Sequence, residues 1–276
     1  MNKEKRQSKS VVLLGSGGVA HSIAKALSES SHHRLTTVYS RNLDHAKELV
    51  LSMGNSFGGV TYATDRMDRV PQEADLYIIA VSDGAIASVS ESLVTAAHSV
   101  VVHTSAATPL QVLASHKNIA VLYPPNTFSK TKPLSFKHFS FLTECATPLA
   151  QKRIRDLLND WGAQGEETSF EKRQIFHLAA VFACNFTNHC YAIAHQILSD
   201  HQLPTALLNP IIKETALKAI ELSPLEGQTG PAIRHDLATI ARHLEVLRPA
   251  ETTKWFKIYE LMTLDIMRTS SEKDPL

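Results

Sequence analysis

The sequence predicts an α/β chain in two parts, a doubly wound and mostly parallel sheet followed by an all-helical C-terminal domain. Three observations carry that prediction. Short β-branched runs alternate with helical stretches through the first half, as strands joined by crossover helices require. The first apolar run, Val11–Leu14, passes directly into the glycine-rich turn GSGG. From Glu171 onward glycine is sparse and the apolar spacing becomes helical.

In chain order, strands are expected at Val11–Leu14, Leu35–Tyr39, Gly59–Ala63, Leu76–Val81, Val100–Thr104 and Ile119–Tyr123. Several are apolar on both faces, which suits strands covered by helices on both sides. Helices are expected between them at Val19–Ser28, Leu43–Met53, Ile86–Ala96 and Pro109–Ser115. Lys130–His138, rich in Lys, Pro and Ser, reads as a loop. Phe139–Thr143 and Gln164–Glu167 add one or two strands around a helix at Pro148–Trp161. Long helices then follow at Glu171–His201, Leu208–Leu222, Ile233–Leu247 and Thr252–Met267, separated by Leu203-Pro204, Ser223-Pro224, Gly230-Pro231 and Arg248-Pro249. The domains are read as 8–168 and 169–270.

Composition narrows the function classes. A formal charge of +1 provides no uniform field to recruit nucleic acid or an anionic membrane. No apolar run approaches the ~20 residues that span a bilayer. The three cysteines, Cys145, Cys184 and Cys190, are odd in number and lack CxxC spacing, which points to a reducing, cytoplasmic setting. No metal is expected: HExxH is missing, and the adjacent His189 and Cys190 point to different sides of their helix.

The strongest motif is VVLLGSGGVAHSIAKAL, in which Gly15, Gly17 and Ala20 form a GxGxxA pattern between a strand and a helix. Gly15 permits the tight turn, Gly17 lets the backbone approach a pyrophosphate, and Ala20 allows close helix–strand packing. The helix N-terminus, with Ser16, Gly18 and Val19 around it, offers unpaired N–H groups and a positive dipole end. This is the Rossmann dinucleotide fingerprint. The second strand ends in Ser40, Arg41 and Asn42, where NAD-specific sites usually carry an acidic residue for the ribose 2′-hydroxyl. A guanidinium can clamp a 2′-phosphate that a carboxylate would repel, so NADP is the expected cofactor. The alternative for Arg41 is a solvated surface charge. In such a sheet the ligand crosses the carboxyl ends of the strands. Val81, Ser82 and Asp83 and the later Ser105 are therefore further cofactor candidates, with Asp83 equally placed to cap the next helix.

The segment FHLAAVFACNFTNHCYAIAHQIL reads as a buried helix with a polar stripe. At about 100° per residue, His177, Cys184, Asn188 and His195 fall nearly on one line, with Asn185 beside it. Buried amides and imidazoles need partners, so the stripe points either to a polar cleft or to contacts between helices. His177 is the candidate general acid, because histidine ordinarily titrates near neutrality. Asn185 and Asn188 are the candidates for orienting substrate. Farther on, Thr229 or Gly230 with Pro231 is expected to open a helix on which Asp236, Ile240 and His243 share a face near Arg234.

With these residues in view, the chain resembles bacterial NADP oxidoreductases that join a Rossmann-like domain to a helical C-terminal domain of unknown function. Those are similar in turn to deazaflavin-dependent NADP oxidoreductases, pyrroline-5-carboxylate reductases and ketopantoate reductases. The segments LLGSGGVA, YPPNTFSK, HLAAVFACNFTNH and TGPAIRHD carry the resemblance. Ketopantoate reductases place a catalytic Lys and two Asn residues at four-residue steps on their long helix. The resemblance sets His177 at the Lys position, Val181 at the first Asn and Asn185 at the second, and the lost Asn argues against a keto-acid substrate. The implied function is an NADP(H)-dependent reductase of a small carbonyl or imine compound. Separately, the long apolar helices of the C-terminal half exceed what one small bundle need bury, so a homodimer is expected. The competing reading is a catalytically silent NADP-binding sensor or interaction protein.

Overall fold

The computed structural model describes residues 8–54, 60–248 and 253–271. The described chain divides into two compact units, one through Val181 and one from Phe182.

The first unit is built on one eight-stranded sheet: β1 Lys9–Leu14, β2 His33–Tyr39, β3 Tyr62–Thr64, β4 Leu76–Ile79, β5 Val100–His103, β6 Asn118–Tyr123, β7 Ser140–Cys145 and β8 Gln164–Glu167. Their order across the sheet is β3-β2-β1-β4-β5-β6-β7-β8. Every pair is parallel except β6 with β7. The order reverses between β1 and β4, and that switch point is where an open α/β sheet leaves a ligand crevice at the strands' carboxyl ends.

Alternation along β1 shows how the core is divided. Val11 and Leu13 join a cluster with α1 (Gly18–Ser28), α2 (Leu43–Ser52) and α4 (Pro148–Asp160) on one face. Val12 and Leu14 join the other face, with α3 (Asp83–Ser92) and Leu110–Leu113. All four side chains are buried. Each contributes on the order of 1.5–3 kcal/mol relative to exposure, which holds the central strands and their loop ends in place.

Several boundaries differ from expectation. The third strand, expected at Gly59–Ala63, is Tyr62–Thr64, and Gly59 lies outside the described residues. The helix expected at Ile86–Ala96 begins earlier, with Ser82 at the N-cap position and Asp83 in the first turn, and ends where Leu93 turns extended. Asp83 is therefore not the cap. The helix expected at Pro109–Ser115 is a single 3-10 turn over Leu110–Leu113.

The expected helix Glu171–His201 is divided by its backbone hydrogen bonding. α5 covers Phe170–Ala180, a π-helical segment covers Val181–Phe186, and α6 covers Thr187–Asp200. The Thr187 hydroxyl donates to the Phe182 carbonyl at 2.9 Å, a five-residue step that suits the wider winding. The second unit continues with α7 (Asn209–Glu221), α8 (Leu237–Val246) and α9 (Thr253–Ser271). Thr252, expected to open the last helix, lies outside the described residues. The helix expected from Ile233 starts at Leu237 instead. Asp236 is its N-cap, accepting from the Thr239 N–H at 3.0 Å, while Pro231 sits in a preceding turn rather than in the helix. Asp236 thus serves as a cap, and its carboxyl is held below the usual range chiefly by its bonding to Thr239.

Burial corrects a second expectation. Arg173 is the one buried residue of α5, and α6 has none. His177, Asn185 and Asn188 are exposed, and Cys184 and His195 are half-buried. Helical spacing reports an apolar face, but it does not say whether the same chain covers it. Here Phe182 is 62% and Phe186 50% exposed.

Candidate functional site

Because β1, β2, β4, β5 and β6 are parallel, their carboxyl ends share one edge of the sheet. Pairings of Leu14 with Tyr39 and Ile79, Ile79 with His103, and His103 with Val121 bring the following loops side by side there.

The glycine turn sits at the switch point. Gly15 has φ +132°, and a Cβ on it would lie 2.1 Å from the Ala80 carbonyl oxygen, so both backbone and packing demand glycine. Gly17, the N-cap of α1, has an ordinary extended backbone, and a Cβ on it would meet no protein atom within 4 Å. Protein packing does not require glycine at 17, whereas close approach of a ligand phosphate to the backbone does. No side chain caps α1, so its first N–H groups remain available to an anion. A Cβ on Gly18 would lie 2.8 Å from the Phe128 backbone, which runs over the start of α1. Val19 is half-buried and Ala20 fully buried against the sheet. These features fit a bound dinucleotide diphosphate.

At the end of β2, the Ser40 and Ser16 hydroxyls are 3.0 Å apart and tie this strand to the glycine turn. Ser40 thus fills with a small neutral group the place where an acidic residue would face the ribose. Arg41 beside it is exposed, and Asn42 caps α2 by accepting from Asp44 N–H at 2.9 Å and His45 N–H at 3.4 Å. After β4, Val81 is half-buried and Ser82 and Asp83 are exposed. After β5, the buried Ser105 hydroxyl accepts from the Ala107 and Thr108 N–H groups at 3.1 and 3.0 Å, leaving its own proton free to be donated.

At the end of β6 is a residue that sequence reasoning missed. The Tyr123 hydroxyl lies 3.4 Å from His177 Nδ1, and their rings meet edge to face at 6.2 Å. Phe176 packs against the same tyrosine ring at 6.4 Å. Burial first, and the negative charge of Asp83 second, push the Tyr123 phenol above its ordinary range, so it keeps its proton. The contact is long, as catalytic bonds often are before substrate binds. Nothing local in the sequence pairs these residues, which are 54 positions apart.

Asn185 and Asn188 belong to the second unit and are exposed in it. There His243 Nδ1 and the Tyr259 hydroxyl lie 2.8 Å apart, joining α8 to α9. Among the described residues no group of three or more His, Cys, Asp or Glu side chains is arranged to hold a metal ion, and no helix is long and apolar enough to cross a membrane.

Comparison with known proteins follows the same division. Residues 10–107 match the family described as NADP oxidoreductase, coenzyme F420-dependent. Residues 140–266 match a domain family of unknown function. Among solved structures, the putative NADP oxidoreductase BF3122 from Bacteroides fragilis is 34% identical with a TM-score of 0.86, over 95% of this chain and 98% of that one. The 1-pyrroline-5-carboxylate reductase of Streptococcus pyogenes is 19% identical with a TM-score of 0.59, over 95% of this chain and 99% of that one. An imine reductase of Streptomyces aurantiacus is 15% identical with a TM-score of 0.63, over 94% of each chain. At those identities the last two show the fold. No curated protein matches the chain.

Proposed function

The chain belongs to the family of NADP oxidoreductases that includes the Bacteroides fragilis protein, and from that premise we propose that it transfers a hydride between NADP(H) and a small carbonyl or imine substrate. One observation carries the reading. The glycine turn, the Ser40–Asn42 corner and the Tyr123–His177 pair all border the carboxyl edge of one sheet.

The roles follow from chemistry. Gly15, Gly17 and the free N–H groups of α1 hold the diphosphate, and Arg41 clamps the 2′-phosphate. The bound nicotinamide supplies or accepts the hydride. His177 in its protonated form gives its Nε2 proton to the substrate oxygen or nitrogen and becomes neutral, while its Nδ1–H donates to the hydroxyl oxygen of Tyr123, which keeps its own proton. Asn185 and Asn188 orient that substrate. The negative charge of Asp83 near Tyr123 favours a neutral carbonyl or an imine that becomes cationic over an anionic keto acid.

The working form is a homodimer in the cytoplasm. Ile211 at 62%, Ile220 at 81% and Leu261 at 67% exposure leave apolar helix faces that a second copy would cover. The three cysteines are free, which fits a reducing compartment.

The test is NADPH oxidation against ketones, cyclic imines and a deazaflavin, the last because the matched family description names coenzyme F420. Turnover should fall by at least about 100-fold in His177→Ala while NADPH affinity stays nearly unchanged. Tight NADPH binding without turnover across the whole screen would favour the silent sensor instead. Full activity in His177→Ala would remove the histidine from the mechanism.

A further inference from the structure

We propose that Arg173 is a positioning residue that sets the nicotinamide end of the site, by locking the loop after β5 and the helix bearing His177 into one register. The inference rests on the cofactor reading above and adds a residue which that reading does not need.

Arg173 lies in the first turn of α5 and has no exposed surface. Its guanidinium donates from Nη1 to Glu144 Oε2 on β7 at 2.7 Å, from Nη2 to the Thr108 carbonyl at 3.0 Å, and from Nε to the Ala106 carbonyl at 3.3 Å. The Phe170 ring lies 5.4 Å from its central carbon. All three nitrogens of the planar fork thus donate to a fixed acceptor, a task that a point-like ammonium cannot reproduce.

The environment makes the arrangement costly unless it is complete. Neighbouring His103 is also without exposed surface, and burial, helped by the charge of Arg173, pushes its imidazole down to about 4. His103 is therefore neutral and adds no second cation. It accepts from the Ser105 N–H at 3.2 Å through Nδ1, which leaves the proton on Nε2. An apolar side chain could fill a buried site with less desolvation, so a buried arginine with three directed bonds specifies geometry more than it adds cohesion.

That geometry bears on the proposed site in two places. The Ala106 and Thr108 carbonyls belong to the turn that the Ser105 hydroxyl closes, so Arg173 fixes where Ser105 stands. One helical turn along α5, on the same face, comes His177 with its contact to Tyr123. The glycine turn and the Ser40–Asn42 corner are anchored separately, by the Ser16–Ser40 contact and the Asn42 cap. A shifted Arg173 should therefore disturb the nicotinamide end and spare the adenine end.

The experiment is calorimetric titration of wild type, Arg173→Lys and Arg173→Met with NADPH and with 2′,5′-ADP, which probes the adenine half alone. Arg173→Lys should weaken NADPH about tenfold and 2′,5′-ADP by less than about twofold, with Arg173→Met weaker still for NADPH only. Parallel loss of both ligands would mean a general structural role and would overturn the proposal, as would unchanged NADPH affinity in Arg173→Lys. Should Arg173→Met fail to fold, Glu144→Gln keeps an acceptor, removes the counter-charge and should show the same selectivity at about threefold. A wild type that binds neither ligand would sink the cofactor reading and this proposal together. Loss of the selectivity alone would sink only this one.

Discussion

Gly17→Ala separates cofactor binding from folding, because it should weaken the first and leave the second nearly unchanged. Gly17 has φ −83° and ψ −175°, which any residue adopts, and its added Cβ meets no protein atom within 4 Å. Removing unfolded-state freedom is worth about 0.4–1 kcal/mol, but Ala is a poorer N-cap than Gly by a similar amount, so stability should stay within about 1 kcal/mol of wild type. That corresponds to an apparent melting midpoint within about 3 °C of wild type. The same methyl group stands against the approach of a diphosphate to the start of α1. Losing one charge-assisted bond there costs about 2–3 kcal/mol, or about 30- to 150-fold in NADPH affinity. Thermal melts and nicotinamide-fluorescence titrations read the two effects on one sample. Gly15→Ala is the control: its φ of +132° and its clash with Ala80 should lower stability and binding together. Wild-type NADPH affinity in Gly17→Ala, or a marked loss of stability, would refute the assignment of the glycine turn.

Two further outcomes follow from other parts of the molecule. His103 titrates near 4 when folded and near 6.5 when unfolded, so the unfolded state takes up the extra proton first. Its contribution is complete above pH 6.5 and is lost as pH falls to about 4, by about 3 kcal/mol. His103→Gln should flatten that stretch of a urea-stability profile, and an unchanged slope would show that His103 is not the group responsible. Sedimentation at micromolar concentration should give a dimer, and Ile220→Lys, at a side chain 81% exposed in the chain alone, should shift it toward monomer with NADPH binding intact. A monomeric wild type would contradict the dimer.

The glycine turn was legible because a positive φ and a close carbonyl leave traces in residue type, at Gly15 above all. The strand run was legible because Val11–Leu14 and its neighbours are apolar on both faces. The start of α8 was not, since Gly230-Pro231 and Asp236 are both acceptable local signals. His235 at φ +52° interrupts the chain between them, a conformation that residue type alone does not announce. Tyr123 escaped notice because its partner His177 is brought to it only by tertiary structure. Arg173 escaped for a related reason: a charge in the first turn of a helix reads as solvated until the carbonyls of Ala106 and Thr108 are seen to surround it.

The central claim is that this carboxyl edge binds NADP(H) through Arg41 and the glycine turn. The most direct measurement is a fluorescence titration of wild type and Arg41→Ala with NADPH and with NADH. Wild type should prefer NADPH by at least about tenfold, and that preference should collapse in Arg41→Ala while NADH binding is unchanged. Equal affinity for the two cofactors in wild type, or a preference that survives the substitution, would contradict the assignment of Arg41, and binding of neither would contradict the account as a whole.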